Sequence, residues 1–122
     1  RGEGAPTIQN SEIDDAEYYG FYANGTGNYS FSNNTIQSSS YGAYAAGSGA
    51  FSFVGNQILA NGQAGSWVAS ALATVASNTI DGNGDNDALR VQGTITKNTL
   101  FAEDIKLVGQ VTIDPGVTVT LS

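Results

Sequence analysis

Five copies of one short pattern, at near-constant intervals, limit what this chain can fold into more than any other feature. The pattern is an apolar residue, two spacers, Asn, one spacer, then Ile or Leu. It reads Phe31-Ser-Asn-Asn34-Thr-Ile36, Phe53-Val-Gly-Asn56-Gln-Ile58, Val75-Ala-Ser-Asn78-Thr-Ile80 and Ile95-Thr-Lys-Asn98-Thr-Leu100. A weaker first copy is Ile8-Gln-Asn-Ser11-Glu-Ile13, its Asn one place early at Asn10. The leading residues fall at 8, 31, 53, 75 and 95. A second series alternates in the manner of half-buried strands and runs in step with the first. Its copies are Phe21-Tyr22-Ala23, Ala43-Tyr44-Ala45, Ser66-Trp67-Val68, Leu89-Arg90-Val91 and Ile105-Lys106-Leu107. Each period of about 22 residues thus holds at least two short strands and two corners.

Such a period, with Gly-rich corners and no helical periodicity, predicts an all-β fold: a parallel β-helix, a single-stranded solenoid of about five rungs stacked about 4.8 Å apart. A leucine-rich repeat would need far more leucine, and a β-sandwich would not explain the constant interval. The rungs are expected over 5–26, 27–48, 49–70, 71–92 and 93–109. A strand-turn-strand over 110–122 then completes a single domain of residues 1–122. Spacing alone does not set the hand. A start at Arg1, with no initiator Met, reads as a piece of a longer protein.

Asn34, Asn56, Asn78 and Asn98 are expected at one place in successive rungs. A side-chain amide both donates and accepts, so stacked asparagines satisfy one another as a ladder. Phe31, Phe53, Val75 and Ile95 are expected to form one core column. Ile13, Ile36, Ile58, Ile80 and Leu100 are expected to form a second. Tyr22, Tyr44, Trp67, Arg90 and Lys106 fall on an outward column. Aromatic rings in a row there can stack on the apolar C–H faces of sugars, with Arg90 over Trp67, or pack on one another. Ser30, Ser52, Thr74 and Thr94 would make a second, flat and uncharged face.

Asp81, Asn83, Asp85 and Asp87 alternate among glycines in the opening pattern of a calcium loop. The sixth position is Asn86 rather than Gly, and the twelfth is Gln92 rather than Glu. An EF-hand is therefore excluded. What stays open is a calcium-holding corner or a solvated acidic turn.

Four basic residues face eleven acidic ones, a net charge of −7, which argues against nucleic-acid and anionic-membrane partners. No Cys or His is present, which removes thiolate metal sites, disulfides and the commonest general base. No apolar run is long enough to insert in a membrane as a helix.

The stretches NTI, SNTIDGNG and YGAYAAGSG resemble the repeats of right-handed parallel β-helix proteins, the pectin-lyase-like superfamily. The tail VTIDPGVTVTLS is similar to the strand-turn-strand that opens or closes such solenoids on bacterial surfaces. The resemblance covers roughly residues 5–109 and implies a right-handed coil. It spans polysaccharide lyases and hydrolases, phage tailspikes and non-catalytic surface proteins. The expectation is a non-catalytic, secreted or cell-surface solenoid, structural or adhesive, with carbohydrate bound through Tyr22, Tyr44, Trp67 and Arg90. Calcium at Asp81, Asn83, Asp85 and Asp87 is the only cofactor suggested. A fragment or relative of a polysaccharide lyase or hydrolase is the alternative, with Arg90 near Asp85 and Asp87 as its only plausible constellation. Self-assembly through the end rungs, or ice binding on the Ser/Thr face, is the third.

Overall fold

Each of the first four periods folds as three short strands. The computed structural model describes residues 6–47, 49–68, 72–84 and 87–122. The first rung is β1 (Thr7–Gln9), β2 (Glu12–Asp14) and β3 (Tyr19–Gly25). The second is β4 (Tyr29–Ser32), β5 (Thr35–Gln37) and β6 (Tyr41–Gly47). The third is β7 (Phe51–Val54), β8 (Gln57–Leu59) and β9 (Gln63–Val68), and the fourth β10 (Leu72–Ala76), β11 (Thr79–Asp81) and β12 (Leu89–Ile95). The fifth holds only β13 (Thr99–Phe101) and the long β14 (Ile105–Ile113), and β15 (Val119–Leu121) opens a sixth. Every pairing is parallel and joins a strand to its counterpart one rung on. Three sheets result: β1-β4-β7-β10-β13-β15, β2-β5-β8-β11 and β3-β6-β9-β12-β14.

Two corners of the rung are built alike. The first has Asn10, Asn33, Gly55 and Ser77 at positive φ, each just before the residue that turns inward. The second has Asp15, Ser38, Ala60 and Gly82 in the same conformation. One left-handed residue turns the chain without a loop, which is why Gly, Asn, Asp and Ser gather there.

After each such residue stands a ladder position. Asn34 N–H donates to Asn56 Oδ1 at 2.9 Å, and Asn56 N–H to Asn78 Oδ1 at 2.8 Å. The amide nitrogens Asn34 Nδ2 and Asn56 Nδ2 donate to the same two oxygens, each at 3.2 Å. A second ladder runs parallel: Ser39 N–H to Asn61 Oδ1 and Asn61 N–H to Asn83 Oδ1, both at 3.0 Å. Both end on a carboxylate. Asn78 N–H donates to Glu103 Oε1 at 2.6 Å, and Asn83 N–H to Asp87 Oδ1 at 2.7 Å.

The core lies between the sheets. In register, Ile8, Phe31, Phe53, Val75, Phe101 and Leu121 form one column. Phe31 and Phe53 are fully buried and stack with centroids 5.3 Å apart and planes 3° apart. Burying each such side chain contributes about 2–3 kcal/mol.

The fifth rung departs from the expected pattern. Phe101, not Ile95, follows Val75, and Ile95 pairs with Ile113 in another sheet. Leu100, not Thr94, follows Thr74, and Leu100 lies outside the sheet that holds Ile80. Asn98 is not on the ladder. Its Oδ1 accepts from Thr118 N–H at 2.9 Å, the role Asn28 plays for Ala50 at 2.9 Å. The cause is a longer fourth rung: Val75 and its partner Phe101 are 26 residues apart, against 22 for Phe31 to Phe53 and for Phe53 to Val75, so the motif beginning at Ile95 sits at a different corner from its four relatives. After Phe101 the chain passes through Glu103 straight into β14, without a middle strand. The tail runs from the end of β14 through a turn at Pro115-Gly116 into β15, which pairs with β13 and continues the solenoid.

Candidate functional site

The outward face of the sheet β3-β6-β9-β12-β14 carries the aromatic cluster. Strands β3 and β6 read YGFYANG and YGAYAAG, and align Tyr19 with Tyr41 and Tyr22 with Tyr44. The glycine after the first tyrosine is required by close approach. A Cβ on Gly20 would fall 2.9 Å from the Gly42 carbonyl oxygen, and one on Gly42 would overlap the Ala64 carbonyl. The two rungs therefore sit close enough for the tyrosines to touch.

Tyr22 and Tyr44 stack with centroids 5.1 Å apart and planes 8° apart. Tyr19 is the hub. Its ring centroid lies 5.1 Å from Tyr41, 5.5 Å from Tyr22 and 5.6 Å from Tyr44, with planes tilted by 31°, 48° and 49°. Tyr19 and Tyr22, in ring contact, are 40 % and 54 % exposed, and Tyr18 beside Tyr19 in sequence is 66 % exposed. Burial, and after it the neighbouring Tyr22 and Tyr19 phenols, push the Tyr44 phenol above its usual range. Tyr44 is thus neutral at physiological pH and keeps a donor.

The expected column is only partly assembled. Tyr22, Tyr44, Ser66, Arg90 and Lys106 share one register line. Trp67 is not on it. Its backbone pairs with Ala45 and Val91, one residue away from the expected place. Tyr44 is therefore followed by a serine, and Arg90 is two rungs from Tyr44. Tyr19 and Tyr41 were not singled out from the sequence, although the repeated Tyr-Gly-x-Tyr was the signal for them. Between Tyr18 and Ile80 no residue is charged. The tyrosine face thus belongs to a long neutral stretch.

The acidic loop is committed differently. Asp85 lies outside the described residues. Asn83 is buried, its Oδ1 accepts from Asn61, and its Nδ2 donates to Ile58 O at 2.9 Å and Asp87 Oδ1 at 3.0 Å. Asp81 is exposed. Asn83 and Asp87 Oδ1 thus finish a ladder. Among the described residues, no group of three or more acidic side chains is gathered as a metal site would need. The hydrogen bonds from Asn83 hold the Asp87 carboxyl below its usual range.

A carboxylate held low stabilises the fold above its ordinary pKa, and that contribution is lost as pH falls through the folded value. Acidification from about pH 5 to 3 is expected to lower the urea midpoint of the native chain more than that of Asp87→Asn, which cannot titrate there. Parallel acid limbs would show that Asp87 contributes nothing to the transition.

Where the fifth rung lacks its middle strand, a recess of about 270 Å³ is lined by Asn78, Ile80, Asp87, Ala102, Glu103 and Asp104. Two of its three carboxylates are those that end the ladders. Arg90, the expected partner of Asp87 in a lyase-like arrangement, does not line it.

No curated protein and no solved structure matches the chain. A family model described as a right handed beta helix region matches residues 1–114. That match spans most of the chain and agrees with the stacked parallel strands and in-register corners. The chain belongs to the right-handed β-helix family.

Proposed function

We propose that this chain is a non-catalytic solenoid that binds a neutral polysaccharide on its tyrosine face, as a structural or adhesive segment of a secreted or cell-surface protein. The observation that carries the reading is the contact cluster of Tyr19, Tyr22, Tyr41 and Tyr44, with Tyr19 and Tyr22 exposed and Tyr41 and Tyr44 half-buried, in a stretch with no charged residue between Tyr18 and Ile80. Rings offer sugars an apolar surface at low entropic cost, and their hydroxyls bond to hydroxyls at the rim. The stacked pair shares one face between Tyr22 and Tyr44, so the opposite face of Tyr22, on the first rung, is the one to meet a sugar. An acidic polymer would meet a net charge of −7.

The test is affinity electrophoresis through gels containing neutral or acidic polysaccharides, with calcium and then with EDTA. Retardation on a neutral polymer, unchanged by EDTA, is expected. Tyr22→Ala should weaken it by about tenfold, the size of a modest hot spot. Absence of retardation on every gel overturns carbohydrate binding. Retardation only on acidic polymer with calcium transfers the function to the acidic loop.

A second reading rests on the two ends. Core columns run out exposed at Ile8 on the first rung and at Leu107, Ile113 and Leu121 on the last. Unpaired parallel edges with apolar columns favour stacking on a further rung or another copy. Concentration-dependent light scattering tests this reading.

A further inference from the structure

The chain has no cysteine, methionine or histidine, but six tyrosines and one tryptophan. Thiols and thioethers are the side chains that ordinarily absorb oxidising equivalents. An oxidant that meets this protein therefore finds aromatic rings, and four of the six phenols are in one contact cluster. A bond between two phenol rings forms edge to edge, between carbons ortho to the hydroxyls, with the ring planes twisted. The face-to-face pair Tyr22–Tyr44 is poorly placed for it. Tyr19 and Tyr41 are better placed than that pair: they are register partners on adjacent rungs, their centroids are also 5.1 Å apart, and their planes are already tilted by 31°, so a smaller rotation brings two ring edges together. Tyr19 is also solvent-accessible at 40 %.

We propose that Tyr19 and Tyr41 form an oxidative cross-linking site, joined as dityrosine by hydrogen peroxide and a haem peroxidase. Each ring gives up one electron and its phenolic proton. The two tyrosyl radicals combine in one carbon–carbon bond between ortho positions. The ortho hydrogens then move to the oxygens and restore both phenols. In sum the protein loses two hydrogens, and one peroxide is reduced to two waters. The bond staples the edge strand β3 to β6 and closes a loop of one repeat, a covalent constraint of the kind a disulfide supplies elsewhere. The site shares Tyr19 and Tyr41 with the proposed sugar face, but its test reads a covalent product and so succeeds or fails separately from carbohydrate binding.

Dilute protein is treated with peroxidase and hydrogen peroxide, then run on a denaturing gel and digested. No Lys, Arg, Asp or Glu lies between 18 and 80, so thermolysin replaces trypsin for mapping. The expected product is a monomer with dityrosine fluorescence and a linked peptide pair containing Tyr19 and Tyr41, lighter by two hydrogens. Its Tm should rise by on the order of 10 °C. Tyr19→Phe and Tyr41→Phe each abolish that pair, whereas Tyr18→Phe leaves it. Circular dichroism of the two Phe variants confirms that each is folded. Linkage only between molecules, oxidation confined to Trp67, linkage that omits Tyr41, or no linkage overturns the proposal.

Discussion

Replacing Asn56 with alanine is expected to cost roughly 3–5 kcal/mol, a large share of the stability of a domain this size. Asn56 is fully buried in the third rung. Its Oδ1 accepts from Asn34 N–H and Nδ2, and its Nδ2 donates to Phe31 O at 2.9 Å and to Asn78 Oδ1. Truncation takes the acceptor from Asn34 N–H and the donor from the Phe31 carbonyl, and leaves Asn34 Nδ2 with Ile8 O alone, in a place too tightly enclosed by strands for easy repair. Asn28→Ala is the control. It removes an amide at an exposed corner, whose backbone partner can turn to water, and should cost about 1 kcal/mol or less. Urea denaturation of the two variants measures the difference. Similar costs would mean that the ladder is geometry without energetic weight.

Phe53→Ala should be comparably severe, at roughly 3–5 kcal/mol. The ring is fully buried between Phe31 and Phe51, with centroids 5.3 Å and 5.8 Å away. Collapse into the cavity is resisted because the strands on both sides are held by their own backbone ladders. Leu121 occupies the same column but is 68 % exposed at the last rung, so Leu121→Ala should cost well under about 1 kcal/mol. The two central variants are not expected to add. Phe53 supplies the carbonyl that accepts from Asn78 Nδ2, one rung above Asn56. A damaged middle rung also weakens the coupling between halves of a linear array. The denaturant slope should therefore fall with the midpoint. An unchanged slope would mean that the solenoid unfolds as one unit despite the defect.

The fold was legible in the sequence because the chain repeats the same physical problem. Each first corner needs one left-handed residue and one amide, so Asn34, Asn56 and Asn78 recur beside Ile36, Ile58 and Ile80. The second ladder was harder to see. Ser39, Asn61 and Asn83 stand three residues after Ile36, Ile58 and Ile80, but the position two residues on is Tyr41, Gln63 and Asp85, so no second apolar residue completes the pattern, and Asn83 also fits a calcium pattern. Fourfold matching also misled at Asn98, whose local motif is intact although the rung around it has lost a strand. Trp67 was displaced by one because aromatic size was aligned with Tyr22 and Tyr44. Backbone alternation instead counts from Gly65, which pairs with Ala43 where a larger residue stands in β3 and β12. A single-residue shift changes the face in a strand, and no local signal guards against it. The tyrosine face was half visible, as Tyr22 and Tyr44. Tyr19 and Tyr41 join it because they are register partners on the same strands as Tyr22 and Tyr44.

The carboxylates at the ends of both ladders carry a consequence for the length of the protein's repeat. An amide receives a hydrogen bond from the rung before and hands one to the rung after. A carboxylate only receives. Tandem duplication of any rung between Asn34 and Asn78 therefore preserves the relay, and the solenoid grows without a new fold. Placing Glu or Asp at that position stops the relay, as Glu103 and Asp87 do here. In a chain built this way, one acidic substitution in an otherwise neutral repeat is enough to fix how many rungs the ladder spans.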